Sequence, residues 1–337
     1  MGIRGRTRRE TGTLKGMPPM HVMRPKRLTR PKARPAFRLT DRDATIVEIV
    51  GAYQVASSDQ IYRYLCIDDP TTSQQKVTRR LAALFAHVYV GRPLQQHLQI
   101  GSLAPLLYTL DRKGLRLLAQ RREAAIDPRA EWKVKASRTA SAPFLQHALG
   151  NTETLLAFRR ACAERRGLRL VDQPELIASF IPEETRALQH PLRLRMTVKD
   201  GLKSVPISLV ADRVFSIVYA DATRHNYLLE YDRGSMSIAA RRLTKSSFGK
   251  KIKGYLAAYD QQRHRTQLGF ERLRILTVTT SEARIRAMLE AQRAITNGRV
   301  SGMFLYSTAQ RIAEHGAFGP AWITTQSDNV VLLEGAA

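Results

Sequence analysis

The stretch from Leu39 to Arg122 constrains the fold more than any other part of the sequence. It contains three segments in which apolar residues recur with the period of a helix, then two short apolar runs typical of strands, then a fourth helical segment. Thr40, with Asp43 three residues later, has the spacing of a helix N-cap and its reciprocal partner. The apolar face of this first predicted helix comprises Ile46, Ile49, Val50 and Tyr53. Three helices followed by a two-stranded ribbon predict a winged helix-turn-helix.

The turn after residue 67 separates the second predicted helix from the third. Ser57 or Ser58 is suited to cap the second helix, and Pro70 disfavours helical backbone at the residue before it. Thr72 or Ser73 then opens the third helix. The residues that face inward from these two helices are Ile61, Tyr62, Leu65, Val77, Leu81, Leu84 and Phe85.

The outward face of the third helix is hydroxylic, amidic and cationic. Side chains of these types hydrogen-bond base edges and phosphates when the start of a helix enters the major groove, which predicts binding to double-stranded DNA. The set comprises Thr72, Ser73, Gln74, Gln75, Lys76, Thr78, Arg79 and Arg80. The loop between the strands predicted at 88–90 and 106–110 adds Arg92, Gln95, Gln96 and His97. Two alternatives remain: the solvated face of an ordinary helical bundle, and a winged domain that binds protein.

The charge balance indicates a polyanionic partner. The chain has 55 Lys and Arg residues against 29 Asp and Glu residues, a formal net charge of +26, and such a surplus bears on partners rather than on fold. Residues 1–38 hold twelve of the basic residues and one acid. Their prolines and lack of apolar periodicity predict a disordered arm that adds phosphate contacts. The alternative is a tail that only increases solubility.

Several function classes are excluded by missing patterns. No run approaches the roughly 20 apolar residues of a membrane-spanning helix, so no membrane partner is expected. Cys66 and Cys162 lack pairing or metal spacing, which predicts reduced thiols in a cytoplasmic protein. The predicted DNA binding adds an expected association with nucleoid or plasmid DNA. The eight histidines are not spaced as in a paired-histidine relaxase, and a glycine-rich phosphate loop and zinc spacing are absent. ATP-driven and zinc-dependent functions are therefore not expected.

The pattern changes after residue 122. Residues 123–143 mix charged, Ser, Ala and Pro residues and predict a linker, residues 144–310 alternate helical and strand patterns, and residues 311–337 form a C-terminal tail. Helices are predicted at 144–166, 250–262 and 281–295, and strands at 168–171, 192–198, 207–210, 214–219, 227–231, 273–279, 303–306 and, weakly, 330–333. This order predicts a mixed α/β domain with a central sheet, and an α+β class for the whole chain.

Several segments resemble the replication-relaxation family of plasmid and mobile-element proteins. They are LTDRDATIVEIV and LLYTLDRKGLRLLA in the first region, then FLQHALGNTETLLAF, SLVADRVFSI, YLLEYDRGS and KKIKGYLAAY. Together they cover most of residues 39–262. The resemblance implies a DNA-binding protein of plasmid or mobile-element replication or mobilisation. Expected partners are proteins of those processes or a second copy of the chain, bound by the α/β domain.

The second domain also resembles the PD-(D/E)XK nucleases, in which an Asp on one strand and Glu-x-Lys on the next bind Mg²⁺ or Mn²⁺. The resemblance implies metal-ligand roles for Asp212 and Glu230, but Asp232 stands at the lysine position. Lys250 or Lys253 on the following helix could replace that lysine, and Glu153 could add a ligand. In the alternative, Asp212 caps a strand end, and the other two acids pair with arginines. The candidate arginines are Arg213, Arg233 and Arg241. The displaced lysine favours this alternative, a nuclease-like scaffold without activity.

Overall fold

The computed structural model of the chain describes residues 28–98, 104–123, 125, 126, 128–201, 203–238 and 247–332. Its elements fall into an N-terminal helical region and a region built on a five-stranded sheet. The combination of helices with several sheets agrees with the expected α+β class. Among the described residues, no helix is both long enough and apolar enough to cross a membrane.

The N-terminal region begins with helices that carry their own start signals. Its elements are α1 (Asp41–Tyr53), β1 (Ala56–Ser57), α2 (Ser58–Asp68), α3 (Gln74–Ala86), β2 (Val90–Gly91), a 3-10 helix (Leu94–Leu98), β3 (Leu107–Leu110) and α4 (Arg112–Arg121). Reciprocal capping by Thr40 and Asp43 starts α1, and the same arrangement of Ser57 and Gln60 starts α2. The strands form an antiparallel sheet in the order β1-β3-β2, so the two predicted strands are present but shorter than expected.

Residues 28–38, here called the N-terminal segment, pack against this region. Leu28 is buried, and the guanidinium of Arg30 lies 4.4 Å from the ring centre of Phe85 on α3. The ring of Phe37 stacks on His87 with a centroid distance of 4.7 Å. The expectation of a disordered arm through residue 38 is therefore wrong for this segment, because its apolar and cationic side chains have aromatic partners. Residues 1–27 lie outside the described residues.

The segment predicted to be a linker contains a helix, α5 (Pro128–Ser137), which is followed by α6 (Ala142–Ala163). Two hydrogen bonds attach the 3-10 helix to the junction between α5 and α6. The backbone N–H of Leu94 donates to the carbonyl of Arg138 at 2.9 Å, and that of Ala142 donates to the side-chain oxygen of Gln95 at 3.2 Å. The first part of the polar loop predicted between the strands is therefore held against the body of the protein.

The second region alternates strands and helices, as expected. Its elements are β4 (Arg169–Val171), α7 (Gln173–Ser179), α8 (Glu183–Arg186), β5 (Leu194–Asp200), β6 (Lys203–Leu209), β7 (Arg213–Val218), β8 (Arg224–Tyr231), α9 (Phe248–Asp260), α10 (Arg263–Leu268), β9 (Leu273–Thr279), α11 (Glu282–Thr296), β10 (Phe304–Thr308) and α12 (Ala309–His315). The central sheet has the order β10-β9-β8-β7-β4, and β5 and β6 form a separate antiparallel pair. Helix α11 starts at the predicted cap, Ser281.

The central sheet is mixed because of how its strands are connected. Strands β4, β7 and β8 pair antiparallel, whereas β9 and β10 run parallel to β8 and are reached through α9 and α11. Successive residues of β8 face opposite sides of the sheet. Tyr227 and Leu229 pack with Phe158 of α6, whereas Leu228 packs with Ile252 of α9. This alternation places Glu230 on the α9 side.

One hydrophobic cluster connects the two regions. It contains buried residues of α1, α2 and α3 together with Phe158 of α6 and Phe215 of β7. Polar contacts cross the same boundary: the buried guanidinium of Arg213 donates to the carbonyls of Ala52 at 3.2 Å and Tyr53 at 2.6 Å. The N-terminal helices are therefore fixed on the end of strand β7.

The chain after α12 contributes to this core. Trp322 is fully buried, and its ring N–H donates to the carbonyl of Ala317 at 2.9 Å. The predicted strand at 330–333 is reduced to one bridge between Val330 and Trp322. Residues 333–337 lie outside the described residues. The C-terminal stretch that the sequence marks as a tail thus supplies a large core side chain.

Candidate functional site

Helix α3 presents a polar surface at its start. Ser73 is its N-cap residue, and the helix buries Val77, Leu81, Leu84 and Phe85. The opposite face is exposed and comprises Gln74, Gln75, Lys76, Thr78 and Arg79. Five of the predicted DNA-contacting residues therefore form one solvent-accessible surface, here called the α3 surface. Its side chains offer amide, hydroxyl and cationic groups, which can donate to or accept from base edges and phosphates.

Two of the residues predicted to contact DNA, one in the turn before α3 and one on α3, form hydrogen bonds within the protein. Thr72 is buried, and its hydroxyl donates to the Asp69 carboxylate at 3.2 Å. The Arg80 guanidinium binds the buried carboxylate of Asp43, with one bond of 2.8 Å, and donates to the carbonyl of Arg38 at 2.9 Å. These contacts join α3 to α1 and to the N-terminal segment, so Thr72 and Arg80 have structural partners that the prediction of DNA contacts did not include.

The electrostatics of this pair agree with a structural role. Burial alone would raise the pKa of the Asp43 carboxyl, but hydrogen bonds from Arg80 and Thr40 outweigh it and lower that pKa. The same pairing raises the pKa of the Arg80 guanidinium. Both groups therefore remain charged and attached to each other over the ordinary pH range.

Two of the residues predicted to contact DNA from the loop after β2 also form contacts within the protein. The Arg92 guanidinium lies 4.1 Å from the ring centre of Phe85 and donates to the hydroxyl of Tyr108 at 3.0 Å. Gln96 is buried, and its side-chain oxygen accepts the backbone N–H of Leu107 at 2.8 Å. Arg92 and Gln96 thus have internal partners that the prediction of DNA contacts did not include. His97 lies in the 3-10 helix, but its side chain is not among those that the structure describes. Residues 99–103 also lie outside the described residues.

A second group of functional side chains lies where β7 and β8 meet. Arg213 pairs with Leu229 in this antiparallel register, so the preceding residue, Asp212, lies opposite Glu230. One Asp212 oxygen accepts the backbone N–H of Tyr231 at 2.8 Å, and the other lies 3.1 Å from Nε2 of His147 on α6. Helix α6 approaches the sheet this closely because position 150 is glycine, and a Cβ there would collide with the Tyr231 ring.

Glu230 is held from the α9 side. Lys251 Nζ lies 2.5 Å from one carboxylate oxygen of Glu230, and the Tyr255 hydroxyl donates to the other. Lys251 and Tyr255 are four residues apart, so they lie on one face of α9. With Asp212 and His147 these residues form the carboxylate cluster, and all of them except Tyr255 line a cleft of about 260 Å³. Phe144 and Arg233 are also on its wall.

Burial sets the protonation behaviour of the carboxylate cluster. It raises the pKa of the Glu230 carboxyl to about 7, although the charge of Lys251 acts in the opposite direction. Burial would lower the pKa of the Lys251 ammonium, but Glu230 and Asp212 outweigh it and raise that pKa. For Asp212, burial is outweighed by the hydrogen bond from His147 and the charge of Lys251, so its pKa is lowered.

The structure corrects several of the predicted catalytic assignments. Asp212 and Glu230 are brought together, but the lysine that joins them is Lys251 and neither Lys250 nor Lys253. Asp232 instead binds the guanidinium of Arg284 on α11 and accepts the Thr279 hydroxyl at 2.7 Å. Glu153 lies in a bidentate pair with Arg63 of α2 at 2.7 Å. The expected pairing of the acids with arginines holds for Asp232, but through a different arginine.

Sequence signals for the missed residues exist in α9. Phe248, Ile252 and Tyr255 mark its buried face, and Lys251 lies four residues before Tyr255. The sequence KKIK at residues 250–253 contains three lysines. The positions of the buried residues along the helix indicate Lys251 as the one that lies on the same face as Tyr255. His147 had no comparable signal, since its position depends on how α6 crosses the sheet.

The carboxylate cluster does not fit a divalent metal ion as it stands. Hard cations bind several oxygen ligands, but each of the four carboxylate oxygens of Asp212 and Glu230 already has a partner within the protein. Within the described parts of the chain, no group of three or more His, Cys, Asp or Glu side chains is placed to hold a metal. No metal-dependent step follows from this geometry.

We expect replacement of Glu230 by Gln to flatten the pH dependence of stability between about pH 4.5 and 7. Because the folded-state pKa is raised to about 7 from 4.5, the folded protein binds more protons than the unfolded chain in this window, and stability falls as pH rises. A shift of this size corresponds to a free energy on the order of 3 kcal/mol. The lowered pKa of Asp212 and the raised pKa of Lys251 act outside this window.

Urea unfolding at a series of pH values measures this effect. Glu290→Gln on the exposed face of α11 is the matched control and should keep the wild-type profile. A Glu230→Gln protein that loses stability between pH 4.5 and 7 as steeply as the wild type would contradict the prediction.

Comparison with known proteins gives a match to one family description. A family model described as replication-relaxation matches residues 48–272, more than half of the chain. The matched range includes the α3 surface and the carboxylate cluster, and it confirms the resemblance drawn from the sequence. No match was found among curated proteins or among solved structures.

Proposed function

This chain belongs to the replication-relaxation family, and we propose that it binds double-stranded DNA with sequence preference during replication or mobilisation of a plasmid or mobile element. The family supports the biological process. The proposal of duplex binding depends on the geometry of the N-terminal region. The observation that carries it is the α3 surface, in which five polar or cationic side chains lie exposed at the start of a helix.

The arrangement around α3 supports a winged helix-turn-helix. Helices α1, α2 and α3 share one core with the three-stranded sheet of β1, β2 and β3. In helix-turn-helix proteins, the N-terminal residues of the second helix of the motif contact base edges in the major groove. Here α3 has that place in the order, and its first two turns carry Gln74, Lys76 and Arg79. Gln is suited to adenine and Arg or Lys to guanine.

The positive charge of the chain accounts for affinity for DNA of any sequence, through contacts to phosphates. At a net charge of +26, contacts to phosphates are expected to dominate, and binding should weaken steeply with salt, with a slope of about −0.9 per phosphate neutralised. Preference for a site and affinity for any duplex are therefore separate quantities. A useful test must measure both.

Selection of duplexes from a random library by the full chain tests the proposal. We expect enrichment of a common sequence, and tighter binding to the selected duplex than to a shuffled one at about 0.15 M salt. Failure to enrich any sequence, with equal affinity for selected and shuffled duplexes, would remove sequence preference. Failure to bind duplex at any salt concentration would remove the proposed function.

A metal-dependent nickase or endonuclease is the second candidate, and one observation favours it. Asp212, directly before β7, lies opposite Glu230 of β8, and Lys251 brings to them the amino group that the sequence Glu230-Tyr231-Asp232 lacks. This is the set of groups that the PD-(D/E)XK resemblance implies. Against it stand the occupied carboxylate oxygens, for which a metal would have to compete with Lys251, Tyr255 and His147.

We expect purified protein incubated with supercoiled plasmid and Mg²⁺ or Mn²⁺ to produce no more nicked circles than its Glu230→Ala variant. The physical reason is that the carboxylates already accept from protein donors. In addition, burial raises the pKa of Glu230, which favours its neutral form. Gel electrophoresis measures nicking. Cation-dependent nicking that disappears in Glu230→Ala and Lys251→Ala but persists in Lys250→Ala would establish the second candidate instead.

A further inference from the structure

A second concave surface lies beside the N-terminal segment, separate from the α3 surface and from the carboxylate cluster. It is a cleft of about 470 Å³ between the N-terminal segment, the start of α4 and the length of α5. Its charged lining residues are Arg30, Arg34, Asp111, Arg112, Arg116, Glu131, Lys135 and Arg138. Six of these are basic and two are acidic. The cleft, here called the basic cleft, therefore concentrates positive charge in a concave site.

Helical spacing explains why the charges converge. Arg112 and Arg116 are four residues apart on α4, so they project from one face of that helix. Lys135 lies in the last turn of α5, and Arg138 directly follows the end of that helix. These four side chains line the cleft together with Arg30.

The acids of the cleft neutralise only part of this charge. The Asp111 carboxylate is already bound by the Arg30 guanidinium and accepts the backbone N–H of Arg112 at 2.7 Å. Burial lowers the pKa of Arg30, and the nearby charges of Arg138, Arg112 and Arg34 lower it further, against the effect of Asp111. Asp111 therefore compensates the charge of Arg30, and the other five cations of the lining have Glu131 as their remaining acidic neighbour.

One donor in the cleft is left without an acceptor. Within the described residues, Nη1 of Arg30 is shielded from solvent and makes no hydrogen bond, whereas Nη2 donates to the carbonyl of Val90 at 3.3 Å. A buried guanidinium nitrogen without an acceptor is unfavourable unless a ligand supplies one. An anion with several oxygens would satisfy this donor and relieve the repulsion around it.

We propose that the basic cleft binds phosphate groups of the DNA backbone next to the base pairs contacted by the α3 surface. This inference rests on the proposed function and assigns to it a second, sequence-independent contact site. Guanidinium groups present planar pairs of donors that match phosphate oxygens. Four of the lining cations, Arg34, Arg112, Arg116 and Arg138, are exposed arginines whose side chains can reach a passing strand.

The N-terminal segment fixes the cleft relative to α3. Arg30 stacks on Phe85 near the end of α3. The ring of His87 then donates to the carbonyl of Pro35 at 2.8 Å, and Arg80 donates to the carbonyl of Arg38. The segment thus runs along α3 from the cleft toward the α3 surface. This continuity favours one long polyanion that contacts both sites over a small free anion in the cleft alone.

The test compares two variants of the full chain with equal loss of charge. The cleft variant carries Gln at Arg112, Arg116, Lys135 and Arg138, which leaves the Arg30–Asp111 pair intact. The control variant carries Gln at four exposed arginines away from the cleft and α3, which are Arg166, Arg272, Arg286 and Arg299. Affinity for the selected and shuffled duplexes is measured by fluorescence anisotropy from about 50 to 300 mM salt. Circular dichroism verifies that both variants are folded.

We expect the cleft variant to reduce the salt slope by about 2 to 4 and the control variant by less than about 1, because each phosphate contact contributes about 0.9. The ratio of affinities for selected and shuffled duplexes should remain unchanged in both variants. Should the cleft variant fold poorly, the double replacement Arg112→Gln and Arg116→Gln on the exposed face of α4 should reduce the slope by about 1 to 2.

Other results overturn the inference. Equal slopes for cleft and control variants would remove the cleft as a DNA contact while leaving duplex binding by α3 intact. Saturable binding of inorganic phosphate in calorimetry, lost in the cleft variant without any change in DNA slope, would assign the cleft to a free anion instead. A wild-type chain that binds no duplex would overturn the proposed function itself, an outcome distinct from either.

Discussion

Alanine at Gln74, Lys76 and Arg79 is expected to reduce the preference for a selected duplex over a shuffled one by roughly 100-fold or more. Each bidentate contact between a side chain and a base contributes about 1–3 kcal/mol of discrimination, and every 1.4 kcal/mol is about a factor of ten. All three side chains are exposed and none is in the buried face of α3. Stability should therefore change little, and the loss should appear in recognition.

The same triple variant should keep most of its affinity for shuffled DNA. It removes two cations, which corresponds to a reduction of the salt slope by about 2. A matched control replaces one Gln, one Lys and one Arg elsewhere on the surface, using Gln326→Ala, Lys199→Ala and Arg286→Ala. The preference ratio is measured for all three proteins by competition anisotropy. If the α3 variant discriminates as well as the control, α3 does not contact the bases.

Arg213→Ala is expected to lower the free energy of unfolding by about 3–5 kcal/mol. The buried guanidinium donates to the carbonyls of Ala52 and Tyr53 at the end of α1, and hydrogen bonds to a charged group contribute about 1.5–3 kcal/mol each. Truncation leaves two buried carbonyl oxygens without donors and opens a cavity between α1 and β7. The joint between the two regions should therefore weaken first.

Urea unfolding followed by circular dichroism measures this loss, with Arg272→Ala as the control. Arg272 is exposed, so its replacement should change stability by no more than about 0.5 kcal/mol. Arg213→Met tests the cause. It fills the space without supplying donors, and it removes a cation whose pKa is lowered by burial, so a smaller loss than for alanine is expected. A loss below about 1 kcal/mol in Arg213→Ala would show that the regions do not depend on this contact.

Local patterns predicted the helices of the N-terminal region well because their signals lie within a few residues of each other. Thr40 and Asp43 cap one helix as their spacing indicates, and the buried and exposed faces of α3 follow its apolar period. Asp212 and Glu230, which the PD-(D/E)XK resemblance implies as partners, lie opposite each other because of one strand pairing. What these features share is that each is decided by neighbours in sequence or by one strand pairing.

The internal contacts that the sequence did not indicate depend on partners far away in the chain. Arg80 has the composition of a DNA-contacting residue, but its carboxylate partner, Asp43, lies 37 residues earlier. Gln96 was predicted to contact DNA, but its side-chain oxygen accepts the backbone N–H of Leu107 in the interior of the protein. Polar side chains of these types fit both environments. Only the packed structure distinguishes them, because the choice is made by tertiary contacts rather than by local propensity.

The common core of the two regions has a mechanical consequence for any partner that binds the sheet region. Since α1 to α3 and the strands β7 and β8 are packed into one cluster and connected by Arg213, the described part of this core holds α3, the helix proposed to contact DNA, in one orientation relative to the sheet. A protein docked on the sheet would then keep one rotational phase relative to the double helix. Shifting two recognition sites by half a turn, about 5 base pairs, would place such partners on opposite sides of the DNA.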